Sequence, residues 1–144
     1  MNAALHKLGY PENAVWQGGH WCLLPRPAQM TFASLILGGK SEATAFLALP
    51  SAVFTELQTA IAAIEKTLTA FRPYARINYL MLMMVDPHVH FHLIPRYDAA
   101  QDYAGTSFTD AGRSGPPHLK SATAVPEGTP RMLLETPRTS WTGA

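Results

Sequence analysis

The chain is poor in the residues that would make it a secreted scaffold, a membrane protein or a nucleic-acid binder. A single cysteine, Cys22, cannot close an intramolecular disulfide and cannot build a four-cysteine zinc module, so a reducing compartment is expected. Charge is scarce, at 15% of residues, and eleven Lys and Arg nearly cancel ten Asp and Glu to leave +1. No global field of that size holds a nucleic-acid backbone. The longest apolar run, Tyr79 to Val85, is far shorter than a membrane span, and Met1 to Gly9 has no signal-like apolar stretch. A cytoplasmic protein with no membrane and no nucleic-acid partner is the expectation. What remains is 144 residues with 47% hydrophobic content, enough for one domain with one core and too apolar for a disordered chain.

Periodicity divides the chain. Met1 to Gly19 has no sustained period and reads as a lead-in with room for a short helix. His20 to Leu24 and Phe32 to Leu37 are compact apolar runs, read as two strands, with Gly38-Gly39 ending the second. Val53, Leu57, Ile61, Ile64 and Leu68 recur at helical spacing, which predicts a long helix over Ser51 to Phe71, preceded by a shorter one within Ser41 to Leu49. Arg72-Pro73 stops the long helix, because the residue before a proline is pushed out of the helical region. Arg76 to Val85 reads as a buried strand in which Met81, Met83 and Met84 fill core. Asp86-Pro87 turns the chain into a further strand, His88 to Ile94. Residues 101 to 144 hold five of the twelve prolines and much Gly, Ser and Thr. They form a separate extension after a domain of residues 1 to 100, expected to be extended or poorly structured except where Gly115-Pro116-Pro117 packs.

Chemistry concentrates in Asp86-Pro-His-Val-His-Phe-His-Leu-Ile-Pro-Arg96. Strand side chains alternate, so His88, His90 and His92 share one face while Val89, Phe91 and Leu93 share the other. At a rise of roughly 3.3 Å per residue the imidazoles recur about every 7 Å, a row able to act as nucleophile, proton donor or cation near neutral pH. Anionic phosphate suits such a row. A His-x-His pair on a strand also suits a metal ion, but the first acid after His92 is Asp98, beyond Pro95. Arg96 is placed to reach phosphate or ribose, or to be solvated, and Asn78 to contact ribose or to brace backbone. Lys40, after two glycines, and His118, after two prolines, are weaker candidates.

The segment His-Val-His-Phe-His-Leu-Ile resembles, position for position, the signature of the histidine triad (HIT) superfamily of nucleotide hydrolases and transferases. The element order resembles that family's α+β fold over about residues 15 to 97, and Gly-Pro-Pro after the triad resembles a trailing segment of bacterial members. The resemblance implies an antiparallel sheet with one long helix and a triad strand, and a chain similar to the bacterial diadenosine tetraphosphate hydrolase branch. It places His90 as the nucleophile on the α-phosphorus, with His88 and His92 orienting it, stabilising charge and helping the leaving group. A histidine rather than glutamine at position 92 favours the hydrolase branches over galactose-1-phosphate uridylyltransferases. The resemblance further implies a nucleotide-type substrate such as a dinucleoside polyphosphate or phosphoramidate, a homodimer, and no required cofactor or metal. Three positions depart from the family pattern. Met84 and Val85 stand where many members carry Gln and Ser or Thr, no glycine-rich loop precedes them, and no extra histidine lies near Gly38-Gly39-Lys40. Two other readings stay open: a nucleotide-binding or interaction protein with little catalysis, and a metal-dependent hydrolase using the histidine row.

Overall fold

The fold is seen in a computed structural model that describes residues 3 to 103 and 105 to 120. Its elements in chain order are α1 (Ala3–Lys7), β1 (Trp16–Gln17), β2 (Trp21–Pro25), β3 (Leu35–Gly39), α2 (Ser51–Phe71), β4 (Arg76–Leu80), β5 (His90–Arg96), β6 (Gln101–Tyr103) and β7 (Thr106–Phe108). The first five strands make one antiparallel sheet in the order β1-β2-β3-β5-β4. The expected α+β architecture, an antiparallel sheet with one long helix and a triad strand, is present. No helix among the described residues is long and apolar enough to cross a membrane.

Register separates the two faces of the sheet. Leu23 pairs with Leu37 and Leu37 with Phe91, so these side chains line one face together with Trp21, Leu35 and Leu93. That face packs on α2 through Val53, Ala60, Ile64 and Leu68 and forms the main core. α2 begins and ends where the apolar period and Arg72-Pro73 place it. Its Trp21 contact is locked by the indole N–H, which donates to the Val53 carbonyl at 2.8 Å. Glu56 fastens the helix to the β1–β2 turn, accepting from the backbone N–H groups of Gly19, His20 and Trp21 at 2.7 to 2.8 Å. A Cβ at Gly18 would lie 2.6 Å from that carboxylate, so a side chain there would displace Glu56 from these bonds.

The opposite face carries Cys22, Leu24, Ile36, Gly38, His90 and His92, since Leu24 pairs with Ile36, Ile36 with His92 and Gly38 with His90. Leu5 of α1 packs here with Cys22 and Leu24. Gly38 makes room for it, because a Cβ at that position would meet Leu5 Cδ2 at 2.3 Å.

β3 ends at Gly39, as expected, and both glycines are themselves paired within it, Gly38 with Cys22 and Gly39 with Trp21. Several expectations need correction. Between Ser41 and Leu49 only Phe46–Ala48 is helical, as one 3₁₀ turn. β4 stops at Leu80, opposite His92, and does not continue to Val85. Residues 81 to 85 instead leave the sheet through a left-handed Met83 (φ 54°), and Met84 and Val85 are exposed (86% and 103%) rather than core. Met81 and Met83 do pack against the core. The triad strand begins at His90, leaving His88 just before it. Residues 101 to 108 are not loose chain: they form the β6–β7 hairpin, and Phe108 is fully buried against Phe32. The rest of the extension, residues 121 to 144 with Met132 to Leu134, lies outside the described residues.

Candidate active site

The chemistry-bearing face of the sheet forms one wall of a cavity of about 650 Å³. His88, His90 and His92 all reach it, so the structure brings the three histidines together as the sequence alternation requires. Leu5, Lys7 and Leu8 of the N-terminal segment, Ile36 of β3, and residues 82 to 86 close other sides. The size suits a nucleotide-sized ligand, and a mostly apolar wall with a few convergent polar groups is the usual composition of such sites.

His90 is held in one tautomer. Its Nδ1 lies 2.7 Å from the carbonyl oxygen of His88, an acceptor only, so Nδ1–H donates and, in the neutral ring, the lone pair is on Nε2. A neutral imidazole oriented in this way presents a nucleophile. His88 faces two carboxylates: Nδ1 sits 2.8 Å from Asp86 Oδ1, and Nε2 3.4 Å from Glu42 Oε2. Burial is the largest influence on Asp86 and favours its protonated form. The hydrogen bonds from the His88 ring and backbone N–H, with the charges of His88 and His90, outweigh it and hold the carboxyl below its usual range.

His92 stands edge-on to His90, with ring centroids 5.1 Å apart. Burial, aided by the charges of His90 and Arg26, lowers its pKa to about 4, so it is neutral at physiological pH. Its buried Nδ1 has no hydrogen-bond partner among the described residues. Of the three rings, one is oriented by a backbone carbonyl, one lies between two carboxylates and one is desolvated and neutral. Among the described residues no three of His, Cys, Asp and Glu are grouped to hold a metal ion.

Two of the five residues expected at the site lie apart from it. Arg96 and Asn78 line a second cavity of about 300 Å³, and neither reaches the triad cavity. Arg96 is consumed there by a bidentate ion pair with Asp110, by Asn78 Oδ1 at 2.9 Å and by the Gly115 carbonyl at 2.9 Å. The Gly115 contact ties the Gly-Pro-Pro segment to β5. Lys40 turns back to Gln17 and the Gly18 carbonyl, and His118 is exposed and outside the triad cavity. Arg26, which the sequence reading did not single out, does line the triad cavity, as does Lys7. Only the pairing of β2 with β3, and of β3 with β5, brings position 26 near the triad; no local motif marks it.

No family model matches the sequence, and no curated protein matches it. Solved structures do. A histidine triad protein from Sinorhizobium meliloti 1021 superposes with a TM-score of 0.72 at 16% identity, covering 97% of this chain and 94% of that one. A histidine triad protein from Bradyrhizobium japonicum gives 0.69 at 14% identity, with 96% and 95% covered. One from Marinobacter aquaeolei VT8 gives 0.65 at 17% identity, with 95% and 96% covered. The chain therefore has the histidine triad fold.

Proposed function

We propose that this chain is a nucleotide hydrolase or nucleotidyl transferase of the histidine triad type, acting on a phosphoanhydride or phosphoramidate bond at the α-phosphorus. The observation that carries the reading is the orientation of His90, whose Nδ1–H is tied to the His88 carbonyl so that Nε2 faces chemistry in a cavity shared with His88 and His92. Nε2 attacks phosphorus and forms a P–N bond as the bond to the leaving group breaks. The leaving group takes a proton from His88, and water then cleaves the nucleotidyl-histidine with net retention at phosphorus. Positive charge from protein groups serves in place of an ion, so no metal is needed in this scheme. A nucleotide is the one ligand this scheme calls for.

A second reading, a binding protein with little turnover, draws on one observation. The two positions that would supply donors to phosphate hold Met84 and Val85, apolar and exposed at the cavity wall. One experiment decides between them. His90→Gly is expected to lose at least about a hundredfold in turnover of an adenosine phosphoramidate or diadenosine polyphosphate while still binding AMP. Labelled wild-type protein, quenched rapidly at mildly alkaline pH, is expected to carry a nucleotidyl adduct, and turnover is expected to persist in excess EDTA. Turnover unchanged in a folded His90→Gly protein removes the covalent route. Activity lost to EDTA and restored by zinc, with no adduct, replaces it with metal-dependent hydrolysis.

A further inference from the structure

The triad cavity contains a guanidinium with almost nothing to do. Arg26 follows the last residue of β2 and lines the same cavity as His88, His90 and His92. Of its five N–H donors only Nη1 is engaged, by the Ala28 carbonyl at 2.5 Å, and no carboxylate pairs with it among the described residues. Its Nε is buried without a partner, as is His92 Nδ1 across the same cavity. Arg96, by contrast, has an acid, an amide and a carbonyl. Arg26 is partly buried, and its shielded Nε–H with no acid beside it leaves a donor that an anion can complete.

The backbone of Arg26 is also fixed at both ends. Its N–H donates to the Ser34 carbonyl at 3.0 Å, and its carbonyl accepts from Gln29 Nε2 at 2.6 Å. Gln29, fully buried, binds Ser34 in both directions, through the Ser34 carbonyl at 2.9 Å and the Ser34 N–H at 3.1 Å. Thr31 adds a bond from its hydroxyl to the Pro95 carbonyl of β5 at 2.6 Å. The connection between β2 and β3 is thus a stiff bracket, fastened to the triad strand, that sets where Arg26 starts. A planar fork of donors on a fixed base is the side chain best matched to two phosphate oxygens.

We propose that Arg26 is the phosphate-holding residue of the triad cavity, supplying from β2 the donors that the apolar side chains of Met84 and Val85 do not. The proposal rests on the nucleotide reading for its substrate. It assigns the ligand an anionic phosphate next to the histidines and leaves the apolar wall of Leu5, Leu8, Leu82 and Met84 to the uncharged part. Lys7 is the other cation of the cavity, on the exposed side of α1, and lacks such a bracket.

The test is calorimetric titration at pH 7.5 with AMP, adenosine and inorganic pyrophosphate, on wild type, Arg26→Met, Arg26→Gln and Arg26→Lys. Circular dichroism and thermal melting report that each variant is folded, and whichever neutral variant folds is used. The neutral variant is expected to weaken AMP at least tenfold and to leave adenosine within twofold, with Arg26→Lys recovering part of the loss. AMP affinity unchanged by the neutral variant overturns the proposal. Parallel loss of AMP and adenosine does the same, because it marks a structural role. If wild type binds neither AMP nor adenosine, the nucleotide reading fails, and pyrophosphate then decides the anion seat separately. Pyrophosphate bound by wild type and lost in the neutral variant upholds the seat; pyrophosphate not bound by wild type sinks it.

Discussion

Desolvation of one ring gives His92 a measurable signature. Its folded pKa, near 4, lies below the ordinary 6.5. Between those values the unfolded chain holds a proton that the folded chain does not, so the folded state loses stability as pH falls through this window and has its full share above about 6.5. Discounted for the ring's partial exposure, the contribution is about 1–2 kcal/mol between pH 7 and 5. Urea unfolding at both pH values is expected to show that loss in wild type and a smaller one in His92→Asn; equal losses in the two proteins contradict a neutral, desolvated His92. At the same scale, the three histidines were legible because their period-two spacing on a strand is local information. Arg26 was not, because it approaches them only through pairing of strands far apart in sequence. Arg96 looked like a site residue for its place two positions after Ile94, but Asp110, fourteen residues further on, captures it.

Elements with a strong internal period were legible, and those defined by their surroundings were not. The Val53 to Leu68 stripe places α2 at Ser51–Phe71, since 3.6-residue recurrence over about four turns has no competing explanation. The run Tyr79 to Val85 is apolar throughout, and apolar composition cannot distinguish a core strand from the wall of a cavity. Here the chain leaves the sheet after Leu80 and uses Leu82, Met83, Met84 and Val85 as cavity wall. The β6–β7 hairpin was hidden for the opposite reason. Its two short strands carry few large apolar residues, and what holds them is an aromatic cluster with distant partners. Phe32 lies 5.3 Å from both Phe108 and Tyr103, and the Arg72 guanidinium stands 4.5 Å over the Phe32 ring. Phe108→Ala is therefore expected to cost about 3–5 kcal/mol in urea unfolding, the range for a fully buried aromatic. A cost below about 1 kcal/mol contradicts the hairpin as part of the core.

At the scale of the whole molecule, the sheet gives its two faces different tasks and, among the described residues, leaves an edge open. One face is closed by α2 and supplies stability; the other carries the histidines and a cavity wall. Among the described residues β4 is the long outer edge, five residues against the two of β1, and it pairs only with β5, the strand that carries His90 and His92. An edge strand presents unpaired N–H and C=O groups, and a second copy is one way to satisfy them. Leu47 and Val85, at 92% and 103% exposure, add apolar surface that a monomer would leave in water. We propose a homodimer, which gives a physical reason for the 47% hydrophobic content of so short a chain. Pairing along β4 would brace β5 from its outer side, so chemistry and assembly would be linked through a single strand. Sedimentation equilibrium is expected to give about twice the chain mass of 15.7 kDa at micromolar concentration. Turnover per chain is expected to fall on dilution through the same concentration range in which the mass halves. A mass of one chain throughout, up to about 100 µM, removes the dimer, and a dimer whose specific activity is indifferent to dissociation removes the link between β4 and the triad.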